Sequence, residues 1–140
     1  MVKTEITLKN AYDEGNAREG LIKLDAVRSI TITAVADTSY IHLVINEDLC
    51  QKLCLTYIGE RIVHIADGQR IRCKIAGVVD VYWKNRHTAC PALVIPGAKS
   101  VLLGLIPLEG MDLMVDSVTQ QVVGIHGDKE EYPCFITQVA

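Results

Sequence analysis

The sequence predicts an all-β fold, a small closed or semi-closed barrel with one or two short helices. Three observations carry that prediction. Hydrophobic residues make up 49% of the chain but aromatics only 5%. The apolar mass is therefore mostly Val, Ile and Leu, and β-branched side chains fit a pleated, half-buried surface. Short alternating runs recur along the chain, divided by Gly, Asp and Asn turns. At 140 residues the length suits one domain able to bury a proper core. That domain is predicted over residues 1–127, with 128–140 as a C-terminal tail that adds a final strand.

Each element follows from its local pattern. Residues 3–9 (KTEITLK) alternate and predict a strand at a sheet edge. Asp13 to Gly20 is polar and reads as a loop. Leu21 to Asp25 predicts a short strand, and Arg28 to Val35 (RSITITAV) a strongly β-branched one. Asp37 to Ser39 form a turn, and Ile41 to Ile45 a further strand. Asn46 is a good helix N-cap, with Glu47 and Asp48 in the first turn to complement the helix dipole. Leu49, Leu53 and Cys50 give that helix its apolar face, and Cys54 lies four residues from Cys50. Arg61 to Ala66 and Arg70 to Ile75 predict a hairpin about Asp67-Gly68, since Asp-Gly between alternating runs favours a tight turn. Gly77 to Trp83 and Thr88 to Ile95 predict a second hairpin about Lys84-Asn85-Arg86. Val101 to Ile106 is an apolar run containing Gly104. Pro107 suits the start of a short helix over 107–111. Leu113 to Val115 and Gln121 to Ile125 flank a turn.

Several function classes fit poorly. The net charge is −3 and no basic run exists, which argues against nucleic acid. Apolar runs are too short to span a bilayer, and the N-terminus has no apolar secretory core. The cysteines at 50, 54, 73, 90 and 134 are odd in number and scattered. They read as reduced thiols of a cytoplasmic protein. Cys50 and Cys54 have no matching His cluster, so small core or boundary residues is the better reading than metal ligands. His42, His64, His87 and His126 are scattered, and no glycine-framed cysteine points to a Cys-His nucleophile. Trp83 and Phe135 read as packing residues.

The segment Ile30 to Leu55 holds the candidate chemistry. A carboxylate between two buried strands is expensive to ionise, and sequences keep one for structural partners or for catalysis. Asp37 alone is compatible with a turn aspartate that caps its own backbone. Asp67-Gly68 alone is compatible with a plain hairpin turn. Asp116-Ser117 reads as a surface turn, and Asp80 as an outward-facing strand residue by alternation.

Four features stand in a fixed order: an apolar strand into Asp37-Thr38, a helix beginning within LVINED, an Ala-Asp-Gly hairpin, and Leu102-Leu103-Gly104 opening LLGLIPLEGMDLMVDS. This order resembles the retropepsin-like aspartic proteases and looks like their small prokaryotic members. It covers roughly residues 20–127. The resemblance implies a homodimer, because the chain has one such turn and is too short for two lobes. Asp37 would be the catalytic carboxylate, one from each subunit, with no metal or organic cofactor. Thr38 would hold the paired turns, with Ser39, Leu103 and Gly104 as support. Ala66, Asp67, Gly68 and Gln69 would form the flap over an extended peptide substrate. Ser39 departs from the family's usual glycine, and Tyr40 is bulky where a small residue is common. Two rival readings follow: a dimerisation or peptide-binding module without catalysis, and a monomeric barrel that binds a ligand.

Overall fold

The computed structural model describes residues 1–129 and 131–134. Among these residues nine strands form the frame: β1 (Val2–Asn10), β2 (Ser29–Ala36), β3 (Leu43–Ile45), β4 (Thr56–His64), β5 (Arg70–Trp83), β6 (Arg86–Val94), β7 (Val101–Leu103), β8 (Leu113–Asp116) and β9 (Gln121–Gly124). Three short helices join them: α1 (Ala11–Arg18), α2 (Glu47–Lys52) and α3 (Leu105–Gly110). The large sheet runs β1-β2-β7-β3-β6-β5-β4, and β1 also pairs with β5. That extra pairing closes six strands into a barrel and leaves β4 outside the ring. The fold is thus the small all-β barrel expected.

One main core fills the barrel, from Val2 and Ile6 of β1 to Val122 of β9. Leu8, Leu43, Ile45, Val79, Val81 and Leu103 are fully buried in it. A second, smaller cluster of Val44, Cys73 and Leu93, with Val63, Ile75 and Leu102 against it, lies under β4.

Several local expectations need correction. β1 is not an edge. It lies between β2 and β5, from Val2↔Ala36 to Asn10↔Val79, so residues before the region of resemblance are part of the barrel. The polar stretch after Asn10 is helix α1, capped by the Asn10 side chain, which accepts from the Asp13 amide. It buries no residue, so it offers no apolar stripe to read. Leu21 to Asp25 form no strand. Leu21 and Leu24 are exposed, and a single 3₁₀ turn covers Leu24–Ala26.

The two predicted hairpins share one continuous 14-residue strand, β5. Its lower half pairs with β4, and its register against β6 shifts between Ala76 and Val79. Asp80 stands, as alternation predicts, on the face of β5 opposite the core residues Val79 and Val81, yet it is only 4% exposed there and bonds His87 Nε2 at 3.0 Å. Arg86 is not in the turn but opens β6, 1% exposed. Its guanidinium donates to the carbonyls of Met111, Asp112, Gly127 and Lys129. Cys54 lies past the end of α2 with φ 49° and is exposed, whereas Cys50 is buried. The Asp116 turn is a surface turn as expected, with Asp116 Oδ1 accepting from the Val118 amide. Trp83 packs into the core and donates to Thr4 Oγ1 at 2.7 Å. Phe135 and the final strand predicted for the tail fall largely outside the described residues.

Candidate functional site

Asp37 is placed by a parallel ladder. β2 and β7 pair as Ala34↔Val101, Val35↔Leu102 and Ala36↔Leu103. The next amide, Asp37 N–H, donates to the Leu103 carbonyl at 3.1 Å. The Tyr40 amide donates back to the Asp37 carbonyl at 3.3 Å and closes the turn. Asp37 Oδ1 accepts two bonds from Ser39, from the amide at 2.9 Å and from Oγ at 2.7 Å. The amide bond first, then the hydroxyl bond, hold the Asp37 carboxyl below the usual carboxylate range. Desolvation opposes them but is weak, because Asp37 lies past the end of β2 at the surface of the single chain. The expected cost of ionising it is therefore absent in the single chain. Thr38 and Ser39 are exposed. Ser39 is not among the non-glycine residues with positive φ, so its backbone places no demand for glycine.

Gly104 supports this turn from behind. The Leu105 amide donates to Tyr40 O and the Ile106 amide to Ile41 O, both at 2.8 Å. These bonds draw residues 40–42 across the glycine. A Cβ there would meet His42 O at 2.5 Å, Tyr40 O at 2.7 Å and His42 N at 2.9 Å. Close backbone approach, not backbone conformation, is the reason for glycine at this position.

The β4–β5 hairpin stands opposite. At its tip Gly68 takes φ +85°, the Ile65 amide donates to Gln69 O, and the Gly68 amide to Ile65 O. Asp67 Oδ1 accepts from the Gln69 amide at 2.9 Å, so Asp67 rigidifies the tip. Between hairpin and turn lies a groove of about 720 Å³. Ser39, Tyr40 and His42 form one wall, Val63 to Ala66 the other, and Leu93 and Leu102 belong to the floor. The smaller apolar cluster is thus the underside of this groove.

Of the residues assigned a site role from the sequence, Ser39 and Ala66 line the groove, as does Tyr40 beside them. Asp37 and Thr38 are not in the lining but directly precede Ser39, to which the Asp37 carboxylate is bonded. Leu103 and Gly104 clamp the turn, and Asp67, Gly68 and Gln69 shape the tip. Sequence reasoning missed His42, His64 and Lys99, which the fold brings to one groove from three separate segments. No local spacing could have paired them, although the alternation in RIVHIA does put Val63 and Ile65 on one face. His42 has its pKa lowered by burial and by the neighbouring Arg61 charge. Among the described residues no three His, Cys, Asp or Glu side chains converge as a metal-ligand set.

No helix among the described residues is long and apolar enough to cross a membrane. No protein-family model matches this sequence, and a search of curated proteins finds no match.

Proposed function

We propose that the chain is a homodimeric, retropepsin-like aspartic endopeptidase that acts on extended peptides in the cytoplasm. The carrying observation is the position of Asp37. It sits on a turn held by Leu103 and Gly104, at the mouth of an apolar groove roofed by a tight Asp-Gly hairpin. An apolar surface surrounds that turn, with Tyr40 46%, Ile41 57% and Ile106 45% exposed. Apolar patches of this kind favour association with another surface, and a two-fold axis there would bring two Asp37 carboxyls together.

Two carboxyls a few Å apart share one proton. The ionised member takes a proton from water, and the resulting hydroxide oxygen bonds to the scissile carbonyl carbon. The protonated member gives its proton to the carbonyl oxygen. Breakdown of the tetrahedral intermediate returns a proton to a carboxylate, transfers one to the departing nitrogen, and breaks the C–N bond. Neither metal nor organic cofactor takes part. Ser39 holds Oδ1 of each Asp37, and among the described residues Oδ2 has no hydrogen-bond partner.

Asp37→Asn tests the reading. It should abolish cleavage of a quenched peptide library while sedimentation and circular dichroism stay those of the parent. Undiminished cleavage by the variant overturns the assignment.

A second reading has its own support. The two Ser39 bonds already satisfy Asp37 Oδ1 and keep it ionised, as suits a binding module that has lost catalysis. Ser39→Gly separates the two, since it should awaken a silent site and leave a working one active.

A further inference from the structure

The groove beside Asp37 carries charge that its apolar floor does not need. Lys99 supplies it, His64 and His42 add polar ring nitrogens to the lining, and no carboxylate lines the groove. The hairpin that roofs it bears Arg61, Arg70, Arg72 and Lys74 against Glu60 and Asp67, in a chain whose net charge is −3. Glu60 is already engaged by Lys74 at 2.6 Å and Arg72 at 3.8 Å, and Asp67 is turned to its own tip. Among the described residues Lys99 and Arg61 form no ion pair. Arg61 borders a small recess that shares His42 and Leu93 with the groove.

Lys99 is not on a loose loop. The Ala98 amide donates to Ile95 O at 3.1 Å, and Asn46 Nδ2 donates to Ala98 O at 3.2 Å. Asn46 also caps α2 through its Oδ1, so the segment bearing Lys99 is tied to the barrel. The other wall is β4, the last strand of its sheet, which among the described residues pairs only with β5. Its free edge offers N–H and C=O groups to a further extended strand.

We propose that this groove takes an extended peptide whose aliphatic side chains fill the floor and whose carboxylate side chain pairs with Lys99. The proposal rests on the reading of the groove as the substrate site and names the substrate class that reading leaves open. A free edge strand favours a peptide over an amphiphile such as a fatty acid, which has no backbone to pair.

The test uses full-length protein carrying Asp37→Asn, so that binding is read without turnover. Two fluorescent octapeptides are titrated by anisotropy. They are identical aliphatic sequences except for a central glutamate in one and glutamine in the other. The glutamate peptide should bind about fivefold tighter, the size of a partly exposed ion pair. That advantage should vanish in about 1 M salt, where the screening length falls to about 3 Å. Adding Lys99→Gln should erase it, so that the two peptides bind alike. Equal binding of the two peptides, a preference that survives Lys99→Gln, or tight binding of decanoate with neither peptide bound would each overturn the proposal. Cleavage by the parent protein is read separately. A glutamate peptide bound but never cut sinks the peptidase reading alone. Cutting of both peptides at equal kcat/KM, with equal binding, sinks the carboxylate preference alone.

Discussion

Gly104→Ala puts the construction of the Asp37 turn to a quantitative test. The added methyl meets three backbone atoms, the closest being His42 O at 2.5 Å. To reach an ordinary contact of 3.4 Å that carbonyl must retreat by about 0.9 Å. Residues 40 and 41 cannot follow freely, because two 2.8 Å bonds pin them to Leu105 and Ile106. Overpacking of this kind costs about 1–3 kcal/mol, and weakening two hydrogen bonds adds about 1 kcal/mol each at most. A loss of about 3 kcal/mol is expected, or roughly 10 °C in Tm for a chain of this size. Urea unfolding followed through Trp83, the single tryptophan, measures it at fixed protein concentration, since association would move the midpoint. Gly15→Ala is the control. It sits inside α1 with its nearest neighbour at 3.9 Å, so alanine there should stabilise by about 0.5–1 kcal/mol. Should Gly104→Ala fall within about 0.5 kcal/mol of the parent, residues 40–42 are not clamped as described. Because the forced displacement approaches 1 Å beside Asp37, any peptidase activity should drop by about a hundredfold.

Arg86→Met should destabilise by about 3–5 kcal/mol, since it leaves buried Asp112 without its cation and four carbonyls without their donor; a change under 1 kcal/mol in the same urea assay would contradict this. Asp37 has a lowered pKa in the single chain, so its own contribution to stability is present above the unfolded value and lost as pH falls through the folded one. Pairing two such groups raises the pKa of one member. Dimer formation should therefore take up a proton, be strongest in acid, and weaken as pH rises through the paired value; sedimentation equilibrium showing constant association from about pH 3 to 7 would exclude a shared proton. Burial raises the thiol pKa of Cys50 and Cys73 and pushes that of Cys90 up to about 12. Native protein should thus react with iodoacetamide at Cys54 and Cys134 alone, as peptide mass mapping would reveal.

The barrel was legible where local chemistry and tertiary packing agree. RSITITAV makes β2 because its β-branched residues suit both. Asn46 caps α2 as its sequence predicts, and Asp67-Gly68 turns a hairpin because glycine supplies the positive φ. Reading failed where tertiary contacts decide. Helix α1 has no apolar face, and its signals were the Asn10 cap, acidic Asp13 and Glu14 in the first turn, and Arg18 in the last. Gly77 looked like a break between hairpins, yet β5 runs through it with a register shift. Alternation did place Asp80 on the outer face of β5, opposite Val79 and Val81, but could not show that it is covered there and bonded to His87. In the candidate site, the order of motifs located Asp37, Gly104 and the hairpin. The groove wall of His42, His64 and Lys99 was invisible, because residues from three segments meet only once the barrel has closed.

Strand β5 belongs at once to the barrel wall and to the hairpin above the groove. Its upper residues are stitched to β1 and β6, and its lower ones only to β4 for most of their length. The roof is therefore a cantilever with its root cemented into masonry. Extra residues spliced in at the Asp67 end would lengthen the overhang and leave the foundations alone. A deletion near Ala76 would instead drag the wall's own register with it.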